Sequence, residues 1–574
     1  LVDALPLQSR GFLPAGETDP SAAALMQALR GYFEVDESLS DGEARALIGV
    51  LYEINLRQKN IDYSDYIFAQ DVDIDFISTV KEHGLTGVQI EAATVREYAT
   101  SHAAHLLGRV GPIYADTWAY YKELGYNMND TVGIDGAESA FEPYLRGEAG
   151  VREQELSTSG KVVSESWYTD PLTGETHEPE PGDNVLLTLD VKLQAKAEQV
   201  LADTISSLES ADTGGGAVVI QDVSDGGVLT MASYPTYDPA RYREDFNELS
   251  EADGNPLYDH ALLATYAPGS IYKMVTGIAA MDYAGWGRYR QVTDLGVYTK
   301  YADQGYAPEC WIWNVNKNEH LTHGEEVTST AIRDSCNYYF YTISEPLGVD
   351  KLGETAHAFG LGVSTGIELV ETKGNMSNRA NHYDYAGSEW RIGDTLQAGI
   401  GQSDSVFTPL QMAEYCATVA NSGDRHSASI LKTVRSYDFS EKVYERKPEV
   451  LSRVESAEYN WDAVHEGMHL VVNAPSNAAV YETFATCKFT RVRNGENYGV
   501  CGKTGTAQKG EGITNDGMFI CYAPEENPEI AVSVVVERGG SGANVSFIAR
   551  NILNAYYTIR GYSDDSEEEM CLLK

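Results

Sequence analysis

The sequence predicts an α+β fold: one five-stranded antiparallel sheet with helices on both faces, preceded by a separate helix-rich domain. Three observations predict it. The chain has 574 residues, too many for one hydrophobic core. Its texture changes near Pro181, after a Pro/Gly-rich link. Two strand-like runs before and three after a long, mainly helical stretch describe one sheet with its middle inserted.

The elements follow in order. Residues 20 to about 145 are polar and helix-rich, and "DGEARALIGVLYEINLRQ" carries a helical stripe at Ala46, Leu47, Val50, Leu51 and Ile54. "TSGKVVSESWYTDPLTGETHEPEPGDN" reads as extended pieces and a link. "NVLLTLD" is a strand, and Asp190 is the N-cap expected for "VKLQAKAEQVLADTISSLE", with Leu193, Ala197, Val200, Leu201 and Leu208 as its buried side. "GAVVIQDVSDGGVLTMASYP" is a hairpin about Asp225-Gly226-Gly227. "NYGVCGKTGTAQ", "GMFICYAP" and "PEIAVSVVVERG" supply three more strands, and "NVSFIARNILNAYYTI" an amphipathic helix. The expected domains are therefore residues 1–180, 181–562 and an acidic tail, 563–574.

Composition excludes several classes. Eighty-six acidic against 42 basic residues give a net charge of −44, which argues against nucleic-acid binding. Seven cysteines with no C-x-x-C pair make no disulfide scaffold, and the odd number leaves at least one thiol outside any intramolecular bridge. There is no zinc-finger, phosphate-loop or H-E-x-x-H pattern, and His102 and His105 read as a helix face, so no metal is expected. No run approaches the ~20 apolar residues of a membrane span. The start lacks the basic region of a signal peptide. The chain is expected to be cytosolic, processed, or a soluble piece of something anchored.

The chemistry lies in three short motifs. "YAPGSIYKM" puts Ser270 after Pro268-Gly269, at the N-terminal end of an apolar helix, with Lys273 on the same face. Two readings fit Lys273: a lysine snorkelling from a core helix, or a desolvated amine able to take the serine proton. Ser-x-x-Lys also occurs at Ser78/Lys81 and Ser429/Lys432, so spacing does not decide. Order does. "RDSCNYYF" contains Ser335-Cys336-Asn337 and "CGKTGTAQ" contains Lys503-Thr504-Gly505. Only Ser270 leads the sequence Ser-x-x-Lys, Ser-x-Asn, Lys-Thr-Gly from within a core helix.

With these motifs the chain resembles the class B penicillin-binding proteins, the bacterial D,D-transpeptidases that cross-link peptidoglycan. "GIDGAESAFEPYLRGEAG" is similar to a segment of the family's non-catalytic domain, "GDNVLLTLDVKLQAKAE" to the entry into its transpeptidase domain, and "EWRIGDTLQAGIGQSDSVFTPLQMAEYCATVANSG" to the stretch between its second and third motifs. The likeness runs from about residue 80 to 560. "AIRDSCNYYFY", "FGLGVSTGIELVETKG" and the lack of repeats after the catalytic domain point to the elongation type, similar to penicillin-binding protein 2.

The resemblance implies a penicillin-binding, serine β-lactamase-like transpeptidase domain on a pedestal or dimerisation-type domain. It implies that Ser270 attacks a D-Ala-D-Ala stem peptide while Lys273 accepts its proton. Ser335 then relays a proton to the departing D-Ala, and Asn337 bonds Lys273 and the substrate amide. Lys503, with Thr504 and Thr506, would receive the substrate carboxylate. Ser270 and Thr506 N–H groups would form an oxyanion hole, and Gly505 would keep the strand edge open. Cys336 would be packing, with a redox role as the alternative.

It further implies covalent inhibition by β-lactams, no cofactor, and a SEDS-type membrane glycosyltransferase as partner. The family's N-terminal membrane helix is absent from this sequence, so a trimmed ectodomain on the extracytoplasmic face of the bacterial membrane is expected. The rivals are a serine β-lactamase or D,D-carboxypeptidase, and a non-catalytic β-lactam sensor or polymerase activator.

Overall fold

A computed structural model describes residues 5–561, apart from 60–65, 86–87, 92–94, 115, 159–161, 209–213, 316–318, 486–498 and 511. The acidic tail, Cys487 and Cys571 lie outside the described residues. The chain forms two compact units: Leu1–Val95, Val110–Val132 and Ala149–Pro179 make one, and Arg96–Arg109, Gly133–Glu148 and Glu180–Lys574 the other. The sequence suggests a single junction near Pro181; the structure has the chain cross between units several times. The reason is burial: Leu106 and Phe141 sit in one cluster with Ala217, Leu431 and Val434 of the second unit.

In the first unit, helices Ala22–Phe33 and Asp41–Lys59 pack through Ala28, Leu29, Ala44 and Ile48. The predicted helix is present, but its buried stripe is rotated. Leu47 and Ile54 are exposed, and Ala44 and Ile48 face the core in their place. Residues Arg152–Leu156 and Val162–Trp167 pair as an exposed antiparallel hairpin.

The second unit is built on one sheet. Its strands are β1 (Gly216–Asp222), β2 (Val228–Tyr234), β3 (Cys501–Ala507), β4 (Asp516–Ala523) and β5 (Ile530–Val536). Their order is β3-β4-β5-β1-β2, antiparallel throughout, so β3 is an edge. The β1–β2 hairpin turns at Asp225-Gly226-Gly227, and the Asp225 carboxylate accepts the Gly227 N–H at 2.7 Å. "NVLL" forms a strand outside this sheet, paired with Leu431–Arg435.

Strands β1, β4 and β5 are buried on both faces, as near-continuous apolar runs require, because helices cover both sides. Helix α1 (Val191–Ser207) is capped by Asp190, whose carboxylate accepts the N–H groups of Lys192 and Leu193. Its buried side is the predicted one, except that Leu208 is the C-cap and half-buried. It packs with the C-terminal helix Gly542–Ile559. The inserted middle supplies α2 (Lys273–Tyr283), α3 (Thr328–Arg333), α4 (Asn337–Ala358), the fully buried α5 (Pro409–Ala420) and α6 (Glu458–Asn473). Among the described residues, no helix is long and apolar enough to cross a membrane.

Candidate active site

The segment around Ser270 is a tight turn that becomes a helix. Gly269–Tyr272 form a 3-10 turn that runs directly into α2, whose residues from Lys273 to Met281 are all buried. The turn is held from two sides. The Gly269 N–H donates to the Gly401 carbonyl at 2.8 Å. On the other side, the Thr506 carbonyl of β3 lies 2.4 Å from where a Cβ on Gly269 would be, and Gly269 has φ +53°. Only glycine satisfies both the backbone angle and that approach.

Gly505 has a related reason. A Cβ there would stand 2.9 Å from both Ile271 Cγ2 and the Pro268 carbonyl, while the start of the C-terminal helix closes on it at Gly542. The residue therefore lets the Ser270 turn seat against the edge strand, and its value is close packing.

The second motif sits at the junction of α3 and α4. Ser335 has φ +54°, a left-handed conformation uncommon outside glycine, and the next helix begins at Asn337. Cys336 is its N-cap, with Sγ accepting the Tyr339 N–H at 3.4 Å. The kink turns both flanking residues onto one lysine. Lys273 Nζ donates to the Ser335 carbonyl at 2.7 Å, to Ser335 Oγ at 3.2 Å and to Asn337 Oδ1 at 2.7 Å.

Lys503, on β3, reaches the same hydroxyl. Its Nζ donates to Ser335 Oγ at 3.1 Å, to the Thr504 carbonyl at 2.9 Å and to Thr504 Oγ1 at 3.4 Å. Ser335 Oγ is thus the point where all three motifs meet. Thr504 and Thr506 are half-buried, alternating with the buried Lys503, Gly505 and Ala507 as the period of a strand demands.

Two predicted contacts differ in kind. Asn337 bonds Lys273, as the resemblance implies. Ser270 Oγ has no hydrogen bond to Lys273 Nζ, because the ammonium is committed to the Ser335-Asn337 turn.

Both lysines are 0% exposed. Burial pushes Lys273 down to about 8, partly opposed by the Cys310 and Cys336 thiols. Burial lowers Lys503 well below the ordinary lysine value, and the charge of Lys273 lowers it further. Two ammonium groups on one hydroxyl repel, so one proton is easily lost, and a bound anion would restore it.

Behind Cys336 lies a cluster the sequence reading missed. Cys310 Sγ is 3.9 Å from Cys336 Sγ and 3.5 Å from His323 Nδ1. His323 Nδ1 is in turn 2.8 Å from Asp294 Oδ2. The four donor atoms lie within 4.8 Å of one another, an Asp/His/Cys/Cys set suited to a divalent metal such as zinc. Hydrogen bonding between the thiols draws Cys310 down to about 5, and Asp294 and Cys310 together hold His323 up at about 9 despite its burial. Burial and the neighbouring sulfur push Cys336 up. The expectation of no metal ligands rested on spacing, and these four stand 13 to 16 residues apart along the chain. Cys336 inside a motif was the only available signal. By contrast, His102 meets Glu198 and His105 meets the Pro256 carbonyl, so those two serve separate partners.

Comparison with known proteins agrees with this architecture. The family model described as the penicillin binding protein transpeptidase domain matches residues 216–556, and that of the penicillin-binding protein dimerisation domain matches residues 9–185. The peptidoglycan D,D-transpeptidase MrdA of Haemophilus influenzae is 29% identical over 520 residues, covering 84% of this chain and 73% of that protein. The Escherichia coli protein of that name is 26% identical over 501 residues, covering 83% and 73%. A crystal structure of Pseudomonas aeruginosa PBP2 superposes with a TM-score of 0.64 at 27% identity, over 81% of this chain and 91% of that one. A structure described as coordinating polymerization and crosslinking in a peptidoglycan synthase complex gives 0.68 at 26% identity, over 90% and 86%.

Proposed function

Because the chain belongs to the penicillin-binding protein transpeptidase family, matched over more than half its length, we propose that it is a peptidoglycan D,D-transpeptidase that works through an acyl-serine at Ser270. The observation that carries the assignment is the sharing of Ser335 Oγ by two fully buried lysines beside the Ser270 turn. Buried cations are costly unless used, and here the cost lowers their proton affinity.

The geometry supports the following course of reaction. Ser270 attacks the carbonyl of the penultimate D-Ala. Its proton passes to the Lys273 amine, which must swing from the Ser335-Asn337 turn by one hydrogen bond, as catalytic contacts often tighten only with substrate bound. Lys273 and Ser335 share a hydrogen bond, so the proton has a route onward through Ser335 to the departing D-Ala. Asn337 holds Lys273 in place and contacts the substrate amide. Lys503 receives the terminal carboxylate with Thr504 and Thr506, and the incoming negative charge restores its proton. The N–H groups of Ser270 and Thr506 form the oxyanion hole, a type of contact generally worth ~10²–10³ in rate per donor. An amine from a neighbouring stem peptide then takes the acyl group.

A β-lactam would acylate Ser270 and stay tethered. The likeness to the MrdA D,D-transpeptidases supports cross-linking as the reaction, and the similar structure described as a peptidoglycan synthase complex supports a polymerising partner. An elongation role, with acceptor strands from a SEDS-type glycosyltransferase on the extracytoplasmic side of the membrane, rests on the family resemblance. The dimerisation-domain match over residues 9–185 supports a pedestal that meets such partners.

Intact mass after incubation with a fluorescent penicillin tests the assignment. A single stable adduct on the wild type and none on Ser270→Ala is the expected result. Adduct on both proteins would remove Ser270 from its role, and rapid loss of adduct with penicillin consumed would make the enzyme a β-lactamase.

A further inference from the structure

At the start of the strand that carries Lys503, a second group of metal-ligating side chains has no part in the reaction. His469 lies near the end of α6, Cys501 opens β3, and Glu525 follows β4, so three elements converge there. A His469 ring nitrogen, the Cys501 sulfur and a Glu525 carboxylate oxygen all lie within 4.8 Å of one another. His469 Nδ1 is 2.8 Å from Glu525 Oε2. That is close to the ~3.3 Å between neighbouring donors about a tetrahedral zinc ion.

The backbone places these donors. The Glu525 N–H donates to the Gly499 carbonyl at 2.8 Å, and a Cβ at Gly499 would overlap the Glu525 carboxylate. The Asn473 amide joins α6 to the start of β3, donating to the His469 carbonyl at 2.9 Å and the Val500 carbonyl at 3.1 Å. Cys501 is fully buried, while the His469 and Glu525 side chains are 38% and 37% exposed. The group is thus closed on its sulfur side and open to water on the other.

We propose that His469, Cys501 and Glu525 form a second cation site, for a borderline-soft divalent metal such as zinc, with water as the fourth ligand. A thiolate, an imidazole and a carboxylate together favour zinc over calcium or magnesium, which take oxygen donors. The two half-exposed side chains need turn by only ~1 Å to bring all three donors to coordination distance. The Cys501 thiol proton leaves to solvent as the metal binds. Cys501 and Lys503 stand two apart on one strand and face the same side. The cation therefore fastens the start of the Lys503 strand to α6 and to the turn after β4. Three protein donors, against four in the Asp294/Cys310/His323/Cys336 cluster, leave this metal the more exchangeable of the two.

The test reads metal binding alone, so its outcome is independent of the Ser270 assignment. The full chain, Cys501→Ala and His469→Ala are each dialysed to equilibrium against zinc chloride, and bound zinc is counted by plasma mass spectrometry. Exchange into cadmium-113 chloride then resolves the sites by NMR. The wild type should hold one equivalent more than either variant. One cadmium resonance, that of a single-thiolate site, should vanish in both variants while any other signal stays. Equal zinc in all three proteins overturns the proposal, as does a resonance that persists in both variants. Loss in one variant only overturns the three-residue set. Should Cys501→Ala fail to fold, as circular dichroism would show, the half-exposed His469→Ala decides by the same two readouts.

Discussion

At Lys273, burial competes with catalysis for one proton. The side chain is fully buried, and desolvation brings its ammonium to about 8. A lysine whose folded value is depressed is neutral above that value and charged below it. The base form therefore grows as pH rises, and acylation of Ser270 by a fluorescent penicillin should climb with a midpoint near pH 8 and level about one unit above it. Lys273→Arg keeps the charge at every accessible pH, so it should lose ~10²–10⁴ in rate and the climb with it. A rise of the same shape in the arginine variant would move the titrating group elsewhere. Ser270 and Lys273 were legible in the sequence because order along the chain singled them out. The Lys273 bond to Asn337 was expected from the resemblance; its bonds to the Ser335 carbonyl and hydroxyl were not legible, because they depend on a left-handed backbone angle at Ser335 that no spacing announces.

Helix α5 is the element on which the insertion hangs. All of its residues are buried, including Glu414, whose carboxylate accepts from Arg425 Nε at 2.9 Å, while the Arg425 guanidinium also donates to the Ser364 carbonyl. Both partners are at most 6% exposed. Arg425→Met leaves the Glu414 carboxylate buried without its cation and should cost about 3–5 kcal/mol, read as a lower urea midpoint. The double replacement E414M/R425M should regain most of it, since an apolar pair fills the space without desolvated charge. Equal losses in the single and double variants would show that volume, not charge, sets the cost. Elements of this kind were readable where apolar periodicity was long, as in β1, β2 and the C-terminal helix. In the first unit the periodicity named the Asp41–Lys59 helix but not its buried side, because a small two-helix core leaves Leu47 and Ile54 outside.

Over the whole molecule, a net charge of −44 opposes compaction. Most acidic residues are at the surface, where salt screens them over about 10 Å at 0.1 M. The thermal midpoint should therefore rise by several degrees between low salt and 0.15 M sodium chloride, by differential scanning fluorimetry. A midpoint that falls with salt would mean that surface ion pairs outweigh the repulsion. The five-stranded sheet was legible from two groups of apolar runs, and its antiparallel pattern follows. The repeated crossing of the chain between units was not, because it is carried by short segments around Leu106 and Phe141 whose burial only the assembled core reveals.

The strand order has a temporal side. β5 lies in the middle of the sheet, paired with β1 from Gly216 at one end and with β4 up to Ala523 at the other. Until β5 has emerged, the β1–β2 hairpin has no neighbour on its inner edge, and the strand carrying Lys503 has no sheet to join. A nascent chain therefore carries Ser270 and Lys273 for hundreds of residues before β5 is complete, and only then does the sheet have the edge strand that brings Lys503 onto Ser335 Oγ. Contacts this distant close slowly, so the two buried lysines meet at Ser335 only late in folding.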